Sequence, residues 1–300
     1  MQRSLVGSEM CIRDRYYTQN PFTLYPHVDG VDFAISMEEA KKLLEEDKEE
    51  YVIPLKITHP AVTTDKIGSE GFPDLLGEFS TTYNAGATAR TTNLKLASNK
   101  INNTVVMPGE TFSYNKVVGK RTVAAGYKEA PAYAGGKVVN DIGGGICQIT
   151  STLYNAVILA ELEVTERSNH SMIVTYVKPS MDAAIAGDYK DLKFVNNQDV
   201  PIYIEGYTSG KNVYFNIYGE ETRPANRKVT YESEVVSEQD PGTQFVATGD
   251  PVGTMSVSQG KHVGYVAQLW KVVTVDGVEE SREAVSYTHL RAHETTLHLV

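Results

Sequence analysis

The sequence of 300 residues contains only two cysteines and one tryptophan, which excludes a small scaffold held together by disulfides. Its histidines, among them His27, His59, His170 and His262, lack the spacing of metal ligands, so we expect no metal and no cofactor. The net charge is −10, and there is no basic tract, which argues against nucleic acid as a partner. No apolar run reaches the roughly 20 residues that a membrane-spanning helix needs.

The two ends of the chain are related to each other as inverted coding sequence. With suitable codons, the reverse complement of residues 285–295 in a shifted frame reads as residues 5–14. This relation is typical of translated sequencing-adapter sequence, so we expect residues 1–15 and 285–300 to be foreign to the natural protein. Cys11 falls in the first of these ends, which leaves Cys147 as the only native thiol.

The remaining roughly 270 residues are enough for more than one domain. We predict a first domain over residues 16–74, with an order of strand, helix and strand. The spacing of Ser36 and Glu39 is that of a helix capping box, and Ala40, Leu43 and Leu44 supply a short apolar stripe. Residues 51–57 resemble a strand, in which Pro54 marks an edge or a bulge. A polar, glycine- and proline-containing stretch over 68–74 predicts the boundary.

The central segment, residues 75–222, has the patterns of an α+β domain built on antiparallel sheet. We predict helices over 91–101 and 148–162 and a Pro-Gly turn at 108–109. We also predict a strand over 171–177 and a hairpin formed by strands over 201–207 and 212–218. The final segment, residues 228–284, alternates β-branched and polar residues and contains a tight turn at Asp276-Gly277. It is typical of a small, truncated β module.

Three glycines, Gly143 to Gly145, lead directly into the start of the second predicted helix, where Cys147 lies. A thiol at a helix N-terminus is exposed to unpaired amides and to the positive end of the helix dipole, which favour its thiolate. At 100° per residue, Ser151 and Tyr154 project from the same side of the helix as Cys147. The glycine run lacks the ending of a phosphate-binding loop, so nucleotide binding is not expected.

The central segment resembles the VanW family over about 140 contiguous residues. The resemblance is carried by several motifs in order: 79–81, 90–93, 108–115, 126–127, 143–156, 167–171, 182–183 and 191–197. The preceding segment is similar to a YoaR-like peptidoglycan-binding domain, and the tail is similar to a glycine-bearing β module that often follows VanW domains.

This resemblance implies an extracytoplasmic protein of the cell envelope, typically from Gram-positive bacteria and associated with glycopeptide-resistance clusters. It also implies that the full-length protein is held at the membrane by an N-terminal anchor that is not recorded in this chain. The expected partners are the stem peptides and glycan of peptidoglycan. The family is connected with L,D-transpeptidase-type cross-linking, for which Cys147 would be the nucleophile.

A cysteine nucleophile needs a base and a group that orients the base. His170 is the only histidine of the central segment, and Asp182, or less favourably Asp141, is the candidate for orienting it. The backbone amides of Gly145, Ile146 and Gln148 are candidates for stabilising an oxyanion, because helix-start amides point towards developing negative charge. For substrate binding we name Arg90, Ser151, Tyr154 and Ser171; Arg90 could grip a carboxylate or form a structural salt bridge.

Each of these residues also has an ordinary structural interpretation. A lone cysteine beside a helix is most often a small buried hydrophobe, His170 could be a structural histidine, and Asp182 could be a turn residue. Three functions therefore stay open at this point: a cysteine transpeptidase, a cysteine hydrolase of stem peptides, and a non-catalytic wall-binding module. The last predicts a buried Cys147 with no histidine nearby.

Overall fold

The computed structural model describes residues 16–19, 22–25, 28–45, 50–59, 72–134, 137–247, 255–259, 263–290, 292 and 295–299. Cys11, His27 and His262 lie outside these residues, as does most of the stretch 68–74. The chain divides into two compact units, Met1–Pro73 and Asp74–Val300.

The first unit consists of short strands and one helix. Its elements are β1 (Tyr16–Gln19), β2 (Phe22–Tyr25), β3 (Gly30–Phe33), α1 (Met37–Leu44) and β4 (Leu55–Thr58). β1 pairs with β2 and β3 pairs with β4, both antiparallel. The predicted capping box is confirmed, because Ser36 and Glu39 each bond the other's backbone N–H, at 3.2 and 2.8 Å.

Two predictions for this unit are wrong. No residue of α1 is buried, so its apolar stripe at Ala40, Leu43 and Leu44 covers no core. The strand predicted over 51–57 begins only at Leu55. The carbonyl of Pro54 accepts a hydrogen bond from the Ala34 N–H, at 2.9 Å. Since proline cannot donate to a ladder, the strand starts after it.

The second unit contains the predicted α+β domain with antiparallel sheet. Its main sheet has the order β5-β13-β12-β6, formed by β5 (Asp74–Thr82), β6 (Thr104–Val106), β12 (Ile202–Ser209) and β13 (Asn212–Gly219). A second sheet has the order β10-β11-β7, formed by β7 (Thr111–Ser113), β10 (Glu163–Glu166) and β11 (Lys193–Val195). A separate hairpin pairs β8 (Glu129–Ala134) with β9 (Lys137–Ile142).

Three helices accompany these sheets: α2 (Thr88–Ile101), α3 (Tyr114–Val118) and α4 (Cys147–Leu159). The predicted face of α2 is confirmed, since Leu94, Ala97 and Ile101 are fully buried. Every residue of α4 from Gln148 to Ile158 is buried. The side of α4 that carries Ser151 and Tyr154 is therefore covered as well, and α4 is the central helix of the core.

Helix α4 also ends earlier than the predicted Leu162, for a local reason. Glu161 has a φ of 56°, in the left-handed region. The N–H groups of Glu161 and Leu162 turn back onto the carbonyls of Ile158 and Val157, at 2.9 and 3.1 Å. This is the pattern of a Schellman cap, usually made by glycine. Here the residue is Glu161, which forms ion pairs with Arg227 and Lys271. The sequence therefore has no glycine to mark this helix end.

The predicted hairpin and Pro-Gly turn are confirmed. β12 and β13 are joined by Gly210 and Lys211 alone, and the tyrosine pairs Tyr203–Tyr218 and Tyr207–Tyr214 lie directly opposite each other. Their rings are 6.1 and 5.0 Å apart between centroids, so these tyrosines are cross-strand pairs. At the other turn, the Glu110 N–H bonds the Met107 carbonyl at 2.9 Å.

The β module that follows contains two three-stranded sheets. Their orders are β14-β17-β18 and β15-β19-β16, with β14 (Arg227–Gln239), β15 (Thr243–Ala247), β16 (Met255–Gln259), β17 (Gly264–Val275), β18 (Val278–Leu290) and β19 (Thr295–Leu299). Asp276 and Gly277 form the predicted turn, both with positive φ. β18 continues to Leu290, six residues beyond the predicted end of the module; the foreign origin of these residues stays a prediction.

Gly77 on β5 marks the closest approach of the main sheet to α4. A Cβ at this position would lie 2.5 Å from the Ala156 carbonyl oxygen and 2.6 Å from the Ala160 nitrogen. We expect Gly77→Ala to lower the free energy of unfolding by about 1–3 kcal/mol, because backbone on both sides would have to move apart. Urea denaturation measures this. Gly86→Ala is the control, with only the Asn84 side chain nearby; an equal loss in both variants would contradict the close contact.

Candidate active site

The glycine run before α4 is a tight backbone turn. Gly143 and Gly145 have φ values of 83° and 97°, in the region that favours glycine. Gly144 has no space for a side chain, because a Cβ would lie 2.1 Å from the Ala130 carbonyl oxygen. The Asn93 side chain bonds the Gly144 carbonyl at 3.0 Å. The turn delivers Cys147 as the first residue of the helix.

Cys147 carries a free, partly exposed thiol. As a neutral group the thiol donates to the Ile185 carbonyl, with 3.6 Å between Sγ and oxygen. The imidazole of His170, which is buried, lies beside the same sulfur and lowers the pKa of the thiol. The structure therefore brings together the two residues that the sequence proposed as nucleophile and base.

Asp182 completes this arrangement from the far side of the imidazole. One carboxylate oxygen lies 2.6 Å from His170 Nδ1 and accepts from the His170 backbone N–H at 2.7 Å. The other oxygen accepts from Arg167 at 3.0 Å. With Nδ1 held by the carboxylate, the second ring nitrogen is the one available to the thiol.

The charges of these groups stabilise each other. Burial alone would raise the pKa of the Cys147 thiol, but the hydrogen bond and charge of His170 outweigh it, and the pKa lies below its usual value. Burial alone would lower the pKa of His170, yet the hydrogen bond to Asp182 and the contact with Cys147 raise it to about 9. Burial opposes ionisation of Asp182 too, but His170 and Arg167 hold its pKa below the usual range. The arrangement favours a thiolate beside an imidazolium.

Asp182, which bonds His170, and Ile185, which bonds the thiol, belong to one segment, residues 181–185, that lies along α4. Ser151 Oγ accepts from the Ala183 N–H at 2.9 Å, and the Asn155 side chain donates to the Met181 carbonyl at 2.8 Å. Cys147, Ser151 and Asn155 follow each other at intervals of four residues, so they share one face of the helix. This polar face positions the segment.

Two of the predicted substrate-binding residues lie inside the domain. Ser151 is fully buried, and Tyr154 is 4% exposed with the Arg167 guanidinium 5.5 Å from its ring centroid. Their role towards a substrate stays a prediction. Ser171 is exposed, but residues 171–177 form no strand. Their alternation reflects burial of Met172 and Val174 in an irregular segment.

Two of the three candidate oxyanion amides are used within the turn itself. The Ile146 N–H donates to the Gly143 carbonyl at 3.3 Å, and the Gln148 N–H donates to the Gly145 carbonyl at 3.0 Å. Both N–H groups are thus engaged within the turn, and the role of the three amides towards an oxyanion stays a prediction. The side chain of Gln148 is also committed, since its amide nitrogen bonds Thr81 Oγ1 and the Thr82 carbonyl at 2.9 and 3.0 Å.

Arg90 lies beside the thiol with its stem over Gly145, where a Cβ would be 2.7 Å from its Cγ and Nε. One guanidinium nitrogen donates to Gln148 Oε1 at 2.7 Å. Burial is the main cause that lowers the pKa of Arg90, against the influence of Tyr176 and Cys147. Arg90 is therefore near the site and joined to α4, and its role towards a substrate stays a prediction.

Two residues of the site were missed by the sequence analysis. Arg167 holds Asp182 through both the carboxylate and, at 2.7 Å, the Asp182 carbonyl. Tyr176 packs edge-on against His170, with 6.5 Å between ring centroids, and burial, above all other causes, raises the pKa of its hydroxyl well above the usual value. The four-residue spacing of polar side chains on α4 was the available signal that another segment covers this face.

Within the described ranges, no three His, Cys, Asp or Glu side chains are grouped so that they could hold a metal ion. A search of the same part of the chain finds no helix with the length and apolar character required to cross a membrane.

Comparison with known proteins places the site inside a recognised domain. Residues 89–218 match the family model described as VanW like protein, and this range contains Arg90, Cys147, His170 and Asp182. Over 143 residues the chain is 41% identical to Uncharacterized protein YoaR of Bacillus subtilis (strain 168). The matched stretch is 48% of this chain and 47% of the relative.

A second relative is Vancomycin B-type resistance protein VanW of Enterococcus faecalis (strain ATCC 700802 / V583). It is 33% identical over 113 residues, which is 36% of this chain and 41% of the relative. The chain thus spans about half the length, or less, of these curated relatives. A solved structure described as IgA1 Protease G5 domain structure matches 24% of this chain and 89% of its own chain, at 22% identity and a TM-score of 0.18.

Proposed function

Through residues 89–218 this chain belongs to the VanW family, and we propose that it is a cell-envelope protein that modifies peptidoglycan as a cysteine acyl transferase. The proposed reaction is of the L,D-transpeptidase type on stem peptides. The proposal includes an extracytoplasmic location and attachment to a membrane in the full-length protein. The proposed reaction depends on one observation above the others. That observation is the contact of Cys147 with His170, and of His170 with Asp182, at the start of α4.

In the first step the Cys147 thiolate attacks the carbonyl carbon of the peptide bond between the third, L-configured, residue and the terminal D-alanine of a tetrapeptide stem. A carbon–sulfur bond forms and the carbon–nitrogen bond breaks. The His170 imidazolium gives its proton to the departing amine, which leaves as D-alanine. The product is a thioester on Cys147 and a neutral His170.

In the second step the amine of a neighbouring stem attacks the thioester. Neutral His170 takes the proton from this amine, a new amide bond forms, and Cys147 leaves as the thiolate beside an imidazolium. Asp182 stays ionised throughout and stabilises the imidazolium in both resting and final states. Water in place of the amine would make the same site a hydrolase.

The non-catalytic wall-binding module is less well supported. It requires a buried thiol without a histidine nearby, whereas Cys147 is partly exposed and bonded to His170. A thiol with a lowered pKa at this position has no evident structural purpose, because a neutral cysteine would pack equally well.

The test uses the full chain with Cys11→Ser, so that Cys147 is the only thiol. The protein is incubated with a disaccharide-tetrapeptide, and its intact mass is measured. We expect an adduct equal to the donor less D-alanine, and none in the Cys147→Ala variant. Cross-linked dimers released on addition of an acceptor stem identify a transpeptidase, whereas free tripeptide identifies a hydrolase. A folded protein that gives no adduct with any stem donor would contradict the acyl-transfer mechanism.

A further inference from the structure

Arg121 packs against Gly143, in the glycine run before α4. A Cβ at Gly143 would lie 3.2 to 3.5 Å from Cδ, Cβ and Cγ of Arg121. The stem of Arg121 thus packs over Gly143 in the way that the stem of Arg90 packs over Gly145. The positive charge of Arg121 is close enough to the thiol to help lower the pKa of Cys147. Burial, which raises this pKa, and His170, which lowers it, both have larger effects.

The two arginines differ in what their guanidinium groups bind. Arg90 donates to Gln148 Oε1 at 2.7 Å. Among the residues that the structure describes, none forms a hydrogen bond or an ion pair with Arg121. Arg121 is half-buried, and a half-buried guanidinium without an acceptor is a ready site for an anion, because it has lost part of its hydration and has five N–H donors to satisfy.

From this arrangement we infer that Arg121 binds the terminal α-carboxylate of the donor stem peptide, and so selects the residue that leaves. The inference rests on the proposed function. In a tetrapeptide donor the carboxylate belongs to the D-alanine whose nitrogen is released, so it lies within one residue of the carbon that Cys147 attacks. In a pentapeptide it lies one residue, about 3.5 Å, further away.

Charge explains why such a residue is needed. The chain carries a net charge of −10, which disfavours an anionic peptide at long range. A carboxylate placed beside the Cys147 thiolate would also raise the pKa of that thiol. A guanidinium between the two offsets both effects, and its planar fork matches a carboxylate in two parallel hydrogen bonds.

The experiment measures binding rather than turnover, so that it does not depend on the chemical step. The full chain with Cys11→Ser and Cys147→Ala is titrated by calorimetry with two peptides, L-Ala-γ-D-Glu-L-Lys-D-Ala with a free carboxylate and the same peptide with a C-terminal amide. We expect the acid to bind about 10- to 100-fold more tightly, the range of a charge-assisted hydrogen bond. Arg121→Gln should bring the ratio close to one by weakening the acid alone, and Arg121→Lys should restore part of it.

Lys120→Gln is the matched control, because it removes the same charge from the neighbouring, exposed residue and should leave the ratio unchanged. Equal binding of acid and amide by the parent protein, including no measurable binding of either, overturns the inference. So does a ratio that survives Arg121→Gln, or one that Lys120→Gln abolishes equally. A preserved preference for the acid together with no thioester adduct on the intact thiol would refute acyl transfer and still support the carboxylate site.

Discussion

Replacing His170 with glutamine is expected to lower the rate at which iodoacetamide alkylates Cys147 at pH 7 by about tenfold or more. Only the thiolate reacts, and its fraction at a given pH follows the pKa of the thiol. The hydrogen bond and charge of His170 are the largest causes that lower this pKa. Without them the effect of burial remains, and burial raises the pKa. A change of one pKa unit is a tenfold change in thiolate fraction.

The direction of the pH dependence follows from the two pKa shifts. In the native protein the thiol loses its proton below its usual value of about 8.5, and His170 keeps its proton up to about pH 9. Between these two points the site is a thiolate beside an imidazolium, so alkylation should stay fast as the pH falls below the usual range. In His170→Gln the rate should instead rise only towards alkaline pH.

The measurement is the alkylation rate against pH, with the full chain carrying Cys11→Ser. His59→Gln is the matched control, because His59 is exposed and pairs with Asp29 at 2.8 Å in the first unit. It should leave the profile of Cys147 unchanged. Superimposable profiles for native protein and His170→Gln would show that the imidazole does not activate the thiol.

The local elements of this chain could be predicted because their signals are short-range. Ser36 with Glu39, the buried face of α2, and Asp276-Gly277 each depend on residues within a few positions of one another. The sequence also placed Cys147 correctly at the start of a helix, because glycines before a cysteine mark a turn into that helix. These features can be predicted without knowing which residues pack against them.

The errors concern residues whose role is decided by distant parts of the chain. The sequence gives no sign that the segment 181–185 covers the side of α4 on which Ser151 lies and that its backbone bonds Ser151. Residues 171–177 have the alternation of a strand without a partner strand. Arg121 and Arg167 could not be recognised as site residues from the sequence, where they are ordinary charged residues in loops. The groups that they contact, Gly143 and Asp182, are remote from them along the chain.

Asp182→Asn is expected to lower the rate of thioester formation on Cys147 by up to about 10⁴-fold, the loss that follows when the carboxylate of a catalytic triad becomes an amide. The two oxygens of Asp182 accept from three donors, two on His170 and one on Arg167. An asparagine has one acceptor oxygen and places an NH₂ group against donors. The imidazolium then loses its counter-charge, and His170 loses the bond that fixes its ring.

The same substitution should also destabilise the protein, by about 3 kcal/mol or more, because it leaves buried donors and the Arg167 charge without their acceptor. Activity must therefore be separated from folding. Asp191 allows this, since it is buried as well and accepts from Ser113 Oγ and the Asn115 N–H at 2.6 and 2.9 Å, on α3 and β7 rather than at the thiol. Asp191→Asn should lose comparable stability in urea denaturation.

Per folded molecule, Asp191→Asn should form the thioester at the native rate and show the native pH profile of alkylation, whereas Asp182→Asn should do neither. The two variants thus share the loss of a buried carboxylate and differ in whether that carboxylate contacts His170 and Arg167. Equal rates in both, measured well below their melting temperatures, would mean that Asp182 merely holds the segment 181–185 on α4. A deficit confined to Asp182→Asn would assign the carboxylate to the chemistry of Cys147.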